Sequence, residues 1–501
     1  MSQDLEVQPN VFGNLHHPGR SGILGLGMGP SLMLVPVILL SILLLAAQFF
    51  VLSVAMLLGG AAAVTLLLVW RKDGRSIYGR MTLKFMQRRK EKSGKHVYMA
   101  GPTGHTPDGA TRLPGLMASS ELSDHTDPFG RPFGIIRNSG RGIHHYSVVI
   151  EAQPDGDALV DQERVERQVA HWGAWLASRG MDEGIRGASV TIESAPDSGL
   201  KLRRLIQNGR VDNAPAFATA VTESIEQEYD RGSPELSARL TVTFDGKAVG
   251  DGKDRGVAEM AEDIGNRLPG LLSGLAPTGA GAARACTAQE ITDNTRVAYD
   301  PTVATSVEEA QMNGGTNLRW EDAGPSTAFD LEEYYKHDRV YSASWTLYEE
   351  PKGTFTLDSL RRALNPSPGV LRKRVTLLYR PVPVDRTTET IQQELQDSTF
   401  SGSQKRMSMK AVQRQKAAVK SAQEEAQGAG VTRFGLIITC TVTDPEVFRR
   451  LDKEVPNWLS RARLRVRKTL ANHAVTFQAG LPLGMVLPDH MMLPDEIREF
   501  F

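Results

Sequence analysis

Residues 31–70 read SLMLVPVILLSILLLAAQFFVLSVAMLLGGAAAVTLLLVW, 40 positions without a charged side chain. A helix needs about 20 apolar residues to cross a bilayer core of roughly 30 Å. One straight helix over the whole stretch would run to about 60 Å. The run therefore predicts a transmembrane hairpin of two spans. Its turn is expected at 48–53, because Gln48 is the most polar residue inside it and Phe49 and Phe50 suit the far interface. Pro36 falls in the first turns of span one, where proline is tolerated. Gly59 and Gly60, followed by Ala61, Ala62 and Ala63, give span two small residues, which either let helices approach closely or simply fill the helix. A signal peptide does not fit. Its apolar core would be about 7–15 residues behind a basic segment, and Arg20 is the only permanent cation before residue 31.

Just outside this run the charge changes sharply. Arg71, Lys72, Arg75, Arg80, Lys84, Arg88, Arg89, Lys90, Lys92 and Lys95 stand against Asp73 and Glu91 alone. Basic residues next to a span stay cytoplasmic. The expectation is a multi-pass inner-membrane protein with both termini and all soluble domains in the cytoplasm, and the lipid bilayer as a partner. Tyr78 and residues 82–86 supply apolar contacts between the charges. The segment either lies on anionic lipid, at about 1 kcal/mol per cation, or only sets orientation.

The 501 residues suffice for about three domains. With 58 basic and 58 acidic residues, no global field points to nucleic acid or an acidic partner. Cys286 and Cys440 are the only cysteines and sit in core-like settings, which suits a reducing compartment.

Residues 1–30 form an N-terminal tail, 31–70 the hairpin, and 71–132 a basic juxtamembrane segment and connector. The Gly/Pro/Ser-rich stretch 100–132 reads as irregular. A first α/β domain spans 133–285. In it, 144–153 (HHYSVVIEAQ), 188–193 and 236–244 read as strands. Residues 159–179 read as a helix carrying Val165, Val169, Trp172 and Leu176 on one face, between a start at Asp157 and a stop at Gly180. Residues 213–229 and 258–272 are further helices, the last interrupted at Pro269. Residues 286–336 are a linker. A second α/β domain spans 337–484, with strands at 339–348, 374–379, 431–443 and 463–467 and helices at 357–364, 387–395 and 445–459. Both blocks follow the element order of split ferredoxin-like units, so the fold class expected is a transmembrane hairpin followed by α+β domains, with duplication an option. Residues 485–501 are a C-terminal tail.

Residues 401–428 form a basic helical arm, with Lys405, Arg406, Lys410 and Arg414 as candidate docking residues. Its alanines favour helix. Glu424 and Glu425 oppose the charge and no aromatic residues are interleaved for base stacking, so direct nucleic-acid contact is not expected.

The search for chemistry is negative. A P-loop needs GxxxxGK[ST], but Gly94-Lys95, Gly246-Lys247 and Gly252-Lys253 are followed by His96, Ala248 and Asp254. The run 278–284 (TGAGAAR) has Arg284 where a dinucleotide loop needs glycine, and reads as a linker after a helix. His144 and His145 point to opposite faces of a strand and are not expected to share a metal. Asp157, Asp161 and Glu163 read as first-turn acids, and Trp172 and Trp175 as core. Neither HExxH nor Gly-x-Ser-x-Gly occurs. No catalytic, cofactor or metal residue is assigned, and no enzymatic activity is expected.

Residues 373–381 (KRVTLLYRP), the polar arm, 433–443 (RFGLIITCTVT) with Asp444 and Pro445, then the helix and 464–466, resemble the N-terminal region of VirB/TraC/TrbE-type conjugation ATPases. Residues 476–484 (TFQAGLPLG) resemble the point where those proteins continue into the ATPase domain. Here the chain ends at Phe501, so the ATPase is expected on another chain. The front half resembles the two-helix inner-membrane subunit of type IV secretion. As a whole, the chain resembles an actinobacterial family of integral membrane proteins found with conjugation genes, through 172–177 (WGAWLA), 188–199 (ASVTIESAPDSG), 267–271 (RLPGL) and 279–284 (GAGAAR). The resemblance implies a scaffold in a type IV-like DNA-transfer apparatus that anchors or positions a separate conjugation ATPase beside other secretion subunits, as a homo- or hetero-oligomer. It brings no catalytic residues. A type VII secretion core component of the EccE type, or a membrane-tethered enzyme with a non-sequential site, are the alternatives that sequence leaves open.

Overall fold

Strand alternation in both halves of the chain resolves onto one sheet. The computed structural model describes residues 12–13, 28–382 and 432–491, apart from 65, 67–70, 73, 102–111, 141, 155, 157–159, 210, 212, 229–233, 248–252 and 350–353. The fold is α+β. Thirteen strands share the sheet: β1 (Val97–Met99), β2 (Ser120–Thr126), β3 (Pro132–Gly140), β4 (Ile143–Gln153), β5 (Ile185–Pro196), β6 (Pro234–Asp245), β7 (Ala282–Ala285), β8 (Thr327–Asp330), β9 (Tyr335–His337), β10 (Val340–Glu349), β11 (Arg372–Pro381), β12 (Thr432–Val442) and β13 (Arg465–Lys468). The helices are α1 (Met28–Ala46), α2 (Phe50–Val64), α3 (Ile77–Lys92), α4 (Gln162–Met181), α5 (Leu200–Gly209), α6 (Ala216–Glu228), α7 (Gly256–Leu275), α8 (Ala288–Tyr299), α9 (Ala304–Met312), α10 (Arg361–Leu364), α11 (Phe448–Trp458) and α12 (His473–Ala479).

The lateral order is β1-β8-β9-β10-β12-β11-β5-β6-β4-β3-β2, with β7 beside β4 and β13 beside β10. From β4 to β7 the strands lie in the order β7-β4-β6-β5; from β10 to β13 they lie in the order β13-β10-β12-β11. Each is a split β-α-β arrangement with all neighbours antiparallel. The second strands of the two units pair with each other, β5 with β11, from Ser194 opposite Lys373 to Ala188 opposite Tyr379. Both blocks therefore belong to one sheet whose order is a palindrome about this seam. The registers agree in detail. Tyr146-Ser147 on β4 corresponds to Tyr341-Ser342 on β10; Ser147 lies opposite Thr243 and Ser342 opposite Thr441. The hydroxyl pairs are 3.0 and 2.7 Å apart. Carried one strand further, the correspondence equates Thr191 with Thr376.

The two faces differ in chemistry. On one, Val148, Ile150, Val242 and Phe244 are buried under Trp175 of α4 and Ile264, Leu268 and Leu271 of α7. On the same face of the other unit, Ala343, Trp345, Ile438 and Cys440 are buried under Phe448, Leu451 and Val455 of α11. The opposite face carries buried Ser147, Thr191, Thr243, Ser342, Ser344, Thr376, Thr439 and Thr441. It is covered by α8, α12 and the segment 480–485, with Ile291, Tyr299, Phe477, Leu481, Leu483 and Met485 supplying the apolar contacts. That segment acts as a strap: Thr376 donates to Gly480 O at 2.7 Å and Thr243 to Gly484 O at 2.9 Å.

Several expected boundaries change. Helix α7 runs through Pro269 without a break, because Leu268, Leu271 and Leu275 keep one buried face in phase across it. Helix α4 continues past Gly180 to Met181 and starts after Asp161. The stretch expected to be irregular contains β2, and the run 278–284 supplies edge strand β7, which pairs with β4. Residues 286–336 hold α8, α9, β8 and β9. The region 387–395 lies outside the described residues.

The structure overturns the transmembrane hairpin expected for residues 31–70. Among the described residues, no helix is long and apolar enough to cross a membrane. Among the described residues α2 spans 15, a rise of about 22 Å against a core of roughly 30 Å. The multi-pass inner-membrane placement and the cytoplasmic orientation taken from the flanking charges lose their basis with it. What stands there is an antiparallel helical pair. Gln48, at φ 64°, turns the chain between α1 and α2. Ser41 and Ser53 exchange hydroxyl bonds to each other's carbonyls at 3.1 and 2.8 Å. Gly60 faces Val37 so closely that an added Cβ would lie 2.3 Å from a Val37 methyl. Leu39, Leu43, Val51 and Leu58 are exposed.

Candidate functional site

The basic segment after the hairpin forms α3, which is held against the second unit. Ser76 caps it, accepting from Gly79 N at 3.1 Å. Arg89, Lys90 and Lys92 stand in its last turn, where cations complement the helix dipole. Gln87 is buried and donates to Asp330 O at 3.0 Å. Lys90 pairs with the Asp330 carboxylate and donates to Ala471 O at 3.3 Å. Burial pushes the Asp330 carboxyl up, against the pull of Lys90. Arg71 and Lys72 lie on a two-residue ribbon antiparallel to Arg75–Ser76. Arg80 is half-buried, and Lys84 is exposed within 3.8 Å of Glu332. Arg88 and Arg89 are exposed beside Tyr78, Met81, Phe85 and Met86, which are exposed too. Of the expected flanking cations, Lys90 is thus an anchor. Lys405, Arg406, Lys410 and Arg414 lie outside the described residues.

The two adjacent histidines on β4 are each held by a carboxylate. His144 and His145 do point to opposite faces. His144 Nδ1 lies 3.1 Å from Asp254, and His145 Nε2 lies 3.2 Å from Asp489. Asp254 also accepts from Arg137 at 3.0 Å and from the Tyr146 hydroxyl at 3.1 Å. Burial works to raise its carboxyl pKa, but these donors and the Gly256 N–H hold it below the usual range. Cys286 and Cys440 are buried free thiols, and burial pushes both up to about 12. That makes them poor nucleophiles. No group of three or more His, Cys, Asp or Glu among the described residues could hold a metal.

A buried charge cluster sits on the seam, where the sequence gives no local cue. Glu193 on β5 lies opposite Arg374 on β11. It accepts from Arg374 Nη2 at 2.5 Å and from Arg372 Nη1. Burial alone would raise its pKa, yet Arg374, Arg372 and Arg239 outweigh burial and hold it at about 2. Beside this cluster lies a cavity of about 20 Å³, bounded by Thr191, Glu193, Arg239, Arg374, Asn294 and the strap at Leu483. Residues 181 positions apart in sequence make this pair, so only the fold brings them together.

No family model matches the chain, and no curated protein matches it.

Proposed function

We propose that this chain is a non-catalytic component of a type IV-like conjugative DNA-transfer apparatus that positions a separate ATPase. The reading rests on the resemblance of 373–381, 433–443 and 476–484 to the N-terminal region of conjugation ATPases. One observation carries it. These stretches, separated in sequence by 51 and 32 residues, lie together as β11, β12, and α12 with its strap, joined by the Thr376 bond to Gly480 O. The stretches that resemble the ATPase front end thus make one body, on which a motor carried by another chain would act. The partner is a separate conjugation ATPase within a homo- or hetero-oligomeric complex.

Co-expression with a conjugation ATPase from the same genome tests the reading. A complex that survives affinity purification and gel filtration is expected. Failure to associate across a range of salt concentrations overturns the scaffold role. The purified chain is also expected to lack ATP turnover, and turnover abolished by a point substitution would overturn the non-catalytic part.

A further inference from the structure

The large sheet ends at β1 on one side and at β2 on the other. Strand β1 has three residues; β2 has seven, and pairs with β3 without a register shift. Short strands, bulges, prolines and lysines are the usual devices that stop an edge from pairing. Strand β2 has none of them, and its only charged residues besides His125 are Glu121 and Asp124.

Its free backbone groups can be assigned. Gly134 spends its N–H on Cys286 O at 2.8 Å, on the β4 side of β3. By alternation, Phe133, Ile135 and Arg137 bond β2, opposite His125, Ser123 and Glu121. Ser120, Leu122, Asp124 and Thr126 then turn their backbone groups outward. Trp320 Nε1 donates to Ser120 O at 3.2 Å. Among the described residues, no backbone bond reaches the outward groups of Leu122, Asp124 and Thr126.

Along this edge runs an open groove of about 600 Å³, with Asp124, His125 and Thr126 on one wall and Ala258, Ala261 and Glu262 of α7 on the other. The alanines leave room beside the strand. Asp124 and Glu262 are exposed, and neither forms an ion pair among the described residues. Asp124 accepts only from Ala288 N, at 2.8 Å. The nearby Arg131 is committed to Asp127 at 2.7 Å. The groove is therefore acidic, and it borders a row of unused backbone donors and acceptors. We propose that β2 takes an extended basic segment of a partner protein as an added strand, bonded to Leu122, Asp124 and Thr126, with lysine or arginine side chains meeting Asp124 and Glu262.

Random peptides as long as β2, displayed on phage and selected on the full chain, test this. Enriched sequences are expected to combine lysine or arginine with β-branched residues and to lack proline. The commonest one, synthesised with a fluorescent label, is then titrated by polarisation. Thr126→Pro removes an outward N–H and spares the ladder to β3. It should weaken binding roughly tenfold, as should Glu262→Lys. N-methylating alternate peptide residues should abolish binding in one phase and spare it in the other, since a strand bonds an edge through every second residue. Absence of enrichment overturns the proposal. Binding that survives both variants does so too, as does binding that responds equally to both phases of methylation. A dimer in sedimentation that Thr126→Pro dissolves would show β2 pairing with a second copy instead, and overturns it as well.

Discussion

Thr191 and Thr376 face each other across the seam with their hydroxyl oxygens 3.3 Å apart, each at the corresponding position of its own unit. A hydroxyl has one proton to give. Thr376 gives its proton to Gly480 O, so Thr191 donates to Thr376. Thr191→Val then loses one bond, about 1 kcal/mol, whereas Thr376→Val also leaves the buried strap carbonyl unpaired and costs about 1–3 kcal/mol. Urea unfolding of both variants measures the difference. Equal losses would mean that the strap bond adds nothing.

Glu193 holds the two halves together electrostatically. Glu193→Gln leaves the buried Arg374 and the half-buried Arg372 without their carboxylate, and a loss of about 3–5 kcal/mol is expected in chemical denaturation. The folded pKa is held at about 2, below the ordinary value of 4.5. Its contribution is therefore fully present above the ordinary value and lost as pH falls towards 2. A wild-type acid transition unchanged in Glu193→Gln would contradict this assignment.

Acid should act earlier through two buried histidines. His337 Nδ1–H donates to Tyr299 O at 2.5 Å and Nε2 accepts from Ser342 at 2.7 Å, which fixes the neutral ring. Burial lowers its pKa to about 4. Burial, with the nearby Lys468, Arg75 and Lys90, lowers His473 to about 3. A depressed histidine binds fewer protons folded than unfolded, so stability is full above the ordinary pKa of 6.5 and drains as pH falls towards 4. The His337 contribution is on the order of 3 kcal/mol. Unfolding free energies at about pH 7 and about pH 5 should differ less in His337→Gln than in wild type.

Removing the anchor of α3 should loosen that helix without touching the sheet. Lys90→Ala leaves the buried Asp330 without its cation. Hydrogen exchange is expected to speed up across residues 77–92 while β4, β6 and β12 keep their protection. Unchanged exchange in α3 would show that Gln87 alone suffices to hold it.

Where burial follows the period of an element, sequence reveals it. The strand at 144–153 and the helix carrying Trp172 and Leu176 lie within three residues of their predicted bounds. Helix α8 is hidden because its buried face includes Thr292, Asp293 and Thr295, satisfied by Gln289, Gln311, Thr316 and the helix's own carbonyls. Polar residues break the apolar rhythm there. The remaining cue is the capping box, Thr287 followed by Glu290. The charge-free run predicts two helices and a turn, and Gln48 makes that turn. The seam cluster has no local signature. Glu193, Arg239, Arg372 and Arg374 look like ordinary strand charges until β5 meets β11.

That meeting has a historical reading. In a symmetric dimer each residue on the axis touches its own copy. Thr191 and Thr376 do this within one chain, so the seam has the form of a dimer interface made covalent. Fusion would replace dependence on protein concentration with a fixed local one. It would also let the halves diverge. Ser189 and Arg374 now occupy matching positions, as do Glu193 and Leu378, and the buried ion pair belongs to a chain that no longer needs to be its own mirror.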